Sequence, residues 1–287
     1  MNCYNGEEYL VNSLKSVINQ TYKNWELIFW DNCSKDKSAE IFKNFSDKRF
    51  KYFHSPEFTT LYKARNKAIS KARGQYISFL DTDDTWMNNK LELQINKFKD
   101  PNVGLVYSNC IIQNDIFNTK KIFSKKKLPE GNLKNLKFKE YKIVILTVIL
   151  RKSLFTKKKL YFNNNYNIIG DFDLFLKLQQ VTKFACIQQP LAVYRVHKNN
   201  FSFTNHNLHI AELEDWLKYQ KNSKYNQPLE FIIDKIDYMK AMLHIYKGSK
   251  INAIFYLVKF PFSLNKIKIL ILLCVPLFLL KKIRNIN

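Results

Sequence analysis

Helical and strand-type apolar patterns alternate through the first eighty or so residues, and few folds can accommodate that alternation. Leu10, Leu14, Val17 and Ile18 recur at helical spacing within residues 6–20, and residues 26–30 form a short apolar strand ending on Asp31. Ser34 and Asp36 stand where a second helix would be capped, with Ile41, Phe42 and Phe45 on its inner face. Residues 50–54 form the next strand, 61–71 a third helix, and Gly74 leads into the strand 76–80. This order predicts an α/β domain with a largely parallel sheet, in which ligands bind beyond the carboxyl ends of strands. A helix bearing Leu91, Ile95 and Phe98, strands over 103–114 and 142–150 around the Lys125 to Lys127 loop, a helix over 171–178 and a strand over 190–197 follow. From about residue 207 the pattern is helical. The expected organisation is an α/β body over 1–200, divided into halves 1–100 and 101–200, then a helical region 201–260 and a C-terminal segment 261–287.

Chemistry gathers at strand ends. Asp81, Asp83 and Asp84 close the strand over 76–80. An isolated acidic triplet reads as a solvated turn, but three carboxylates beside a buried strand repel one another unless a cation or its bound phosphate is present. Mg²⁺ and Mn²⁺ take such oxygen ligands and bridge them to phosphates. The loops 2–10 and 31–38 both precede helices, as loops around a nucleotide should; each taken alone is ordinary capping sequence.

Other features narrow the class. Lys plus Arg number 47 against 24 Asp plus Glu, a net charge of +23 that suits an anionic partner and follows equally from a Lys-, Asn- and Ile-rich composition. Five scattered cysteines without a CxxC pair read as reduced thiols. No charged segment followed by an apolar one opens the chain, so export is not expected. A basic nucleic-acid-binding protein would cluster its cations with aromatics, whereas Lys is spread over the whole chain. Glycine-rich phosphate loops are absent, which argues against P-loop enzymes and less strongly against a nucleotidyltransferase. His206 and His209 have no acidic companion at zincin spacing and read as surface residues.

The ordered segments YNGEEYL, SVINQTYKNWELIFWDNCSKDKS, ARNKAISKARGQYISFLDTDD, IIGDFDLFLKL and YRVH resemble the family 2 glycosyltransferases over residues 2 to about 202, most densely over 2–84. The resemblance implies a GT-A fold, a Rossmann-like nucleotide-sugar-binding domain, and transfer of sugar from a nucleotide-sugar, chiefly a UDP-sugar, to a hydroxyl of a glycan or lipid-linked acceptor. It implies that Tyr4, Asn5 and Glu8 line the nucleotide pocket, Asp31 receives the base, Arg65 lies beside base or phosphate, Asp81 holds the ribose side and Asp83 the divalent cation, Mn²⁺ or Mg²⁺. Asn32 stands where the family often has a second acid. Asp171 takes the place of the general base, with Asp173 as its rival, and transfer inverts the anomeric centre. His197 is read either as a metal or diphosphate neighbour or as a structural residue.

Two ends of the chain carry further expectations. Residues 269–280 are twelve uninterrupted apolar residues flanked by Lys266, Lys268, Lys281, Lys282 and Arg284. As a helix they span about 18 Å against a hydrocarbon core of about 30 Å, too short to cross. Cations at both ends suit a helix lying in an anionic interface, which implies a peripheral enzyme on the inner face of the cell membrane; a buried C-terminal helix is the alternative. At the other end, only Met1, Asn2 and Cys3 precede the Tyr4 loop, so the apolar strand that leads into it in the family is expected to be missing, with the reading frame beginning upstream.

Overall fold

The computed structural model describes residues 1–136, 140–221, 229–259 and 264–276. Two compact units divide the chain, one comprising residues 1–136 and 142–196, the other 137–141 and 197–287.

The first unit opens with β1 (Asn2–Cys3), α1 (Glu7–Ile18), β2 (Leu27–Asp31), α2 (Ser38–Lys43), β3 (Phe50–His54) and α3 (Leu61–Lys71). The strands pair in parallel in the order β1-β2-β3. Every residue of β2 is buried, as expected of a strand covered on both faces. Its pleat divides the core: Leu27 and Phe29 pack with Leu10, Leu14, Val17 and Phe42, while Ile28 and Trp30 pack with Ala64 and Ala68 of α3. The small alanines let α3 approach the sheet closely.

The unit continues with β4 (Tyr76–Ser78), β5 (Thr85–Trp86), α4 (Lys90–Ile95), β6 (Val103–Asn114), β7 (Thr119–Ile122), β8 (Ile149–Arg151), α5 (Ser153–Thr156), α6 (Gly170–Leu178) and β9 (Lys183–Val196). These strands form a second sheet, ordered β4-β8-β6-β9-β5 with β7 on β6. Here the expectation of a largely parallel sheet fails. Among the described residues, β6 and β9 are its one parallel pair, and β4 and β6 each meet β8 antiparallel. A parallel bridge between Asn2 and Asp81 joins the two sheets just beyond β4. Pro190 lies inside β9, where the register against β6 shifts around Asn109, the setting in which a sheet tolerates proline.

Ahead of the Tyr4 loop, where no strand was expected, β1 holds the strand position. The Met1 amine donates to the Ile28 carbonyl at 2.9 Å, Trp30 N–H to the Met1 carbonyl at 2.9 Å, and Asn32 N–H to the Cys3 carbonyl at 2.8 Å. Beside it lies a cavity of about 420 Å³ lined by Leu27 and Ile28 of β2 and Tyr76, Ile77 and Ser78 of β4.

The second unit contains α7 (Phe201–Thr204), α8 (His206–Lys221), α9 (Glu230–Tyr246), α10 (Lys250–Lys259) and α11 (Leu264–Cys274). Ala241 and Ile245 of α9, Ala253 and Leu257 of α10 and Ile269 of α11 share one buried core. The apolar run from residue 269 is therefore a packed helix as far as it is described; its part over 277–280, like the cations beyond, lies outside the described residues. No helix among the described residues is long and apolar enough to cross a membrane. His209, expected on the surface, is partly buried, and burial pushes its pKa down to about 4.

Candidate functional site

The loops at the carboxyl ends of β1 and β2 are pinned to each other. Asn5 and Cys33 both adopt left-handed backbone, with φ of 51° and 72°. Asn5 N–H donates to Ser34 Oγ at 3.0 Å and Lys35 N–H to Asn5 Oδ1 at 2.8 Å. Gly6 N–H donates to Ser38 Oγ, Glu7 N–H to Asp36 and Lys37 N–H to Glu7. A Cβ on Gly6 would stand 2.7 Å from Thr82 Oγ1, so a side chain there would push the Tyr4 loop away from the segment that follows β4. Glu8 lies with Asn5, Glu7, Lys35 and Asp36 around a surface hollow of about 390 Å³. Tyr4 is half-exposed, its ring 4.5 Å from that of Phe58.

Asp31, almost wholly buried at the end of β2, accepts from Ser34 N–H at 2.8 Å and Tyr52 Oη at 2.6 Å, with His54 Nδ1 at 3.7 Å. Burial alone would raise its pKa; the Tyr52 and Ser34 hydrogen bonds outweigh it and hold the carboxyl below its ordinary value. Asn32 ties β2 to the loop before α3, donating to the Thr59 carbonyl at 2.8 Å and accepting from Thr59 Oγ1 at 3.0 Å. An acid at position 32 could not make the first of these bonds.

A second group of candidates is linked through α3. Arg65, 2% exposed, directs Nη2 to both oxygens of Asp81 at 2.6 and 2.8 Å and lies over the Tyr62 ring at 4.9 Å. The Tyr62 hydroxyl donates to Asp171 Oδ1 at 3.0 Å. Burial raises the Asp171 pKa against the opposing Arg65 charge, the Phe172 N–H and the Tyr62 hydroxyl. Asp173, the rival, is buried and paired with Lys177 Nζ at 2.6 Å, which ties it down within its own helix. The structure thus brings Arg65, Asp81 and Asp171 into one chain of contacts. The sequence reading missed Tyr62, whose helical spacing is that of any core residue, and Gly170, whose only signal is that glycine opens α6.

The acidic triplet separates into three environments. Asp81 is neutralised by Arg65. Asp84 is buried and accepts from Arg195 N–H at 2.8 Å; burial first, then Asp83 and Asp81, pushes its pKa well above the ordinary value. Asp83 is partly exposed, its carbonyl held by Arg195 Nε at 3.0 Å. Among the described residues no three His, Cys, Asp or Glu side chains are grouped to hold a metal ion by themselves. The residues fit a cation shared with a diphosphate, which needs only one or two carboxylates from the protein, and do not fit a closed protein-only site. His197 opens the second unit, its N–H donating to Asn200 Oδ1 at 2.6 Å.

Residues 1–173, more than half of the chain, match the family described as Glycosyl transferase family 2. The UDP-Glc:alpha-D-GlcNAc-diphosphoundecaprenol beta-1,3-glucosyltransferase WfgD of Escherichia coli is 37% identical over 154 residues, covering 54% of this chain and 59% of that protein. The chain therefore spans less than two thirds of that relative's length. Staphylococcus aureus TarS 1-349 in complex with UDP superposes with a TM-score of 0.61 at 19% identity, over 92% of this chain and 75% of that one. The mannosyltransferase PcManGT from Pyrobaculum calidifontis, in complex with GDP-Man and Mn²⁺, gives 0.62 at 14% identity over 99% and 82%. At such identities these two likenesses concern the fold, a mixed α/β glycosyltransferase architecture.

Gly170 provides a local test of the Tyr62 to Asp171 contact. A Cβ there would fall 2.4 to 2.7 Å from three atoms of the Tyr62 ring. Gly170→Ala is expected to destabilise by roughly 1–3 kcal/mol through overpacking, seen as a lower urea midpoint. An unchanged midpoint would show that Tyr62 does not pack against the start of α6.

Proposed function

The chain belongs to glycosyl transferase family 2, and we propose that it moves a sugar from a UDP-sugar to a hydroxyl of a glycan or lipid-linked acceptor in cell-surface polysaccharide synthesis, with inversion. The observation that carries this reading is the chain of contacts Asp81–Arg65–Tyr62–Asp171, which links the strand-end acids to a carboxylate of raised pKa. The relative named for UDP-Glc and the UDP complex of TarS support the donor class. The diphosphoundecaprenol in that relative's name supports a lipid-linked acceptor. A nucleotidyltransferase on a similar fold and a basic nucleic-acid-binding protein are not favoured by the family.

In this reading Tyr4, Asn5, Glu8 and Asp31 hold the nucleotide, with Asp31 accepting from the base. Arg65 holds the Asp81 carboxylate in place. Asp171 takes the proton of the attacking hydroxyl, and a pKa above that of a free carboxylate makes it a better base at neutral pH. A divalent cation, Mn²⁺ or Mg²⁺, shared between Asp83 and the donor diphosphate would offset the charge of the leaving group. The net charge of +23 and the basic, apolar C-terminal segment support a peripheral place on the anionic inner face of the cell membrane.

Two variants separate these roles. Asp171→Asn is expected to lower release of UDP from UDP-glucose in the presence of acceptor by about 10² to 10⁴ while calorimetric UDP affinity stays within about twofold; near-normal turnover would reject Asp171 as base. With the parent protein, Mn²⁺ is expected to bind weakly alone and to strengthen UDP binding. Asp83→Ala should abolish that strengthening, and an undiminished Mn²⁺ effect would remove Asp83 as a ligand.

A further inference from the structure

The second unit carries an apolar surface that its own core does not use. In α10, Ala253 and Leu257 are buried with α9, while Ile251, Ile254 and Phe255 are exposed by 84, 46 and 60%. Their spacing i, i+3, i+4 places the three on one stripe. The pattern repeats in α11: Ile269 is buried, Leu272 and Leu273 pack against the same core, and Ile267, Leu270 and Ile271 form an exposed stripe. Lys250 Nζ at the start of α10 donates to the carbonyls of Leu273 and Val275 at 2.6 and 3.0 Å, which ties the two helices into one packed body. Singly exposed apolar residues are ordinary on a protein surface, but two adjoining helices apolar on both faces ask for a second cover.

Charge decides what that cover is. Residues 247–287 contain eight Lys or Arg and no Asp or Glu, and Lys247 and Lys268 are exposed. A second copy of this chain would set like charge against like charge, whereas an anionic lipid surface accepts apolar stripe and cations together. Eleven residues of α11 reach about 17 Å against about 30 Å of hydrocarbon, so the helix lies in the interface.

We propose that the outward stripes of α10 and α11 form a docking face that inserts into the interfacial layer of an anionic bilayer. The proposal deepens the reading of a membrane-surface enzyme and assigns the contact to described helices rather than to the extreme C-terminus.

The test uses the full chain with phosphatidylcholine vesicles, with and without phosphatidylglycerol. Binding is expected only to the anionic vesicles, weakened by salt. I251N/F255N/L270N/I271N, all at exposed positions, should reduce the bound fraction at least tenfold with an unchanged melting curve. Should that variant fold poorly, Ile251→Trp gives a second readout: a blue shift with anionic vesicles, relative to the parent, and quenching by brominated lipid. Undiminished vesicle binding by a folded quadruple variant, or no spectral change in Ile251→Trp, would overturn the proposal. So would a parent that ignores anionic vesicles, or one that dimerises in their absence and loses the dimer on the four substitutions. Calorimetric UDP affinity is measured alongside: its absence in the parent would count against the glycosyltransferase reading, and its retention with lost vesicle binding isolates the docking face.

Discussion

A buried guanidinium must be paired, and in this protein the pairing of Arg65 with Asp81 organises everything around it. Removing the carboxylate from such a pair typically costs about 3–5 kcal/mol, because the guanidinium then stays in the interior unanswered. The pair therefore fixes α3 against the end of β4. From there the geometry propagates. Tyr62, one turn earlier on α3, lies under the same guanidinium and reaches Asp171, more than a hundred residues away in sequence. Thr60, which caps α3, and Asn66 within it bond to residues 162–164, and Leu61 N–H bonds to Asn167, so the segment leading into α6 is laid along α3.

That dependence explains which parts of the site could be read from the amino-acid order. Asp31 and Asp81 are legible because each ends an apolar run, and a strand end is a place defined by local sequence. The β2, β3 and α3 segments are legible for the same reason, since their periodicities are unbroken by proline or glycine. The connection from Arg65 to Asp171 is not local. Tyr62 has the spacing and character of a core residue, and only the fold shows that its hydroxyl faces a carboxylate. Asp171 is singled out by family resemblance alone, and nothing in its neighbours separates it from Asp173; in the structure Asp173 pairs with Lys177 on its own helix, whereas Asp171 accepts from Tyr62 of α3.

The second sheet was less legible for a topological reason. β6 and β9 are separated by some seventy residues and pair with shifts of register, and β5 is a two-residue strand that pairs antiparallel to β9. Period-2 patterns show that a strand exists and which of its faces is buried, but not its partner or direction. Alternating helices and strands through residue 80 suggest a largely parallel sheet. The chain instead places β8 between β4 and β6, so both run antiparallel to it. The first half thus follows its local pattern, and the second half follows contacts that only the closed structure supplies.

The acidic triplet shows how environment can turn one composition into three roles. Three ionised carboxylates within four residues would repel strongly. In the structure Asp81 is compensated by Arg65, whose Nη2 donates to both carboxylate oxygens, and Asp84 is buried with a pKa pushed well above the ordinary value, which favours its neutral form. Asp83 stays partly exposed, its carbonyl held by Arg195 Nε at 3.0 Å. Three carboxylates that share one sequence context thus end in three different surroundings, because Arg65 reaches the first from α3 and Arg195 reaches the other two from β9.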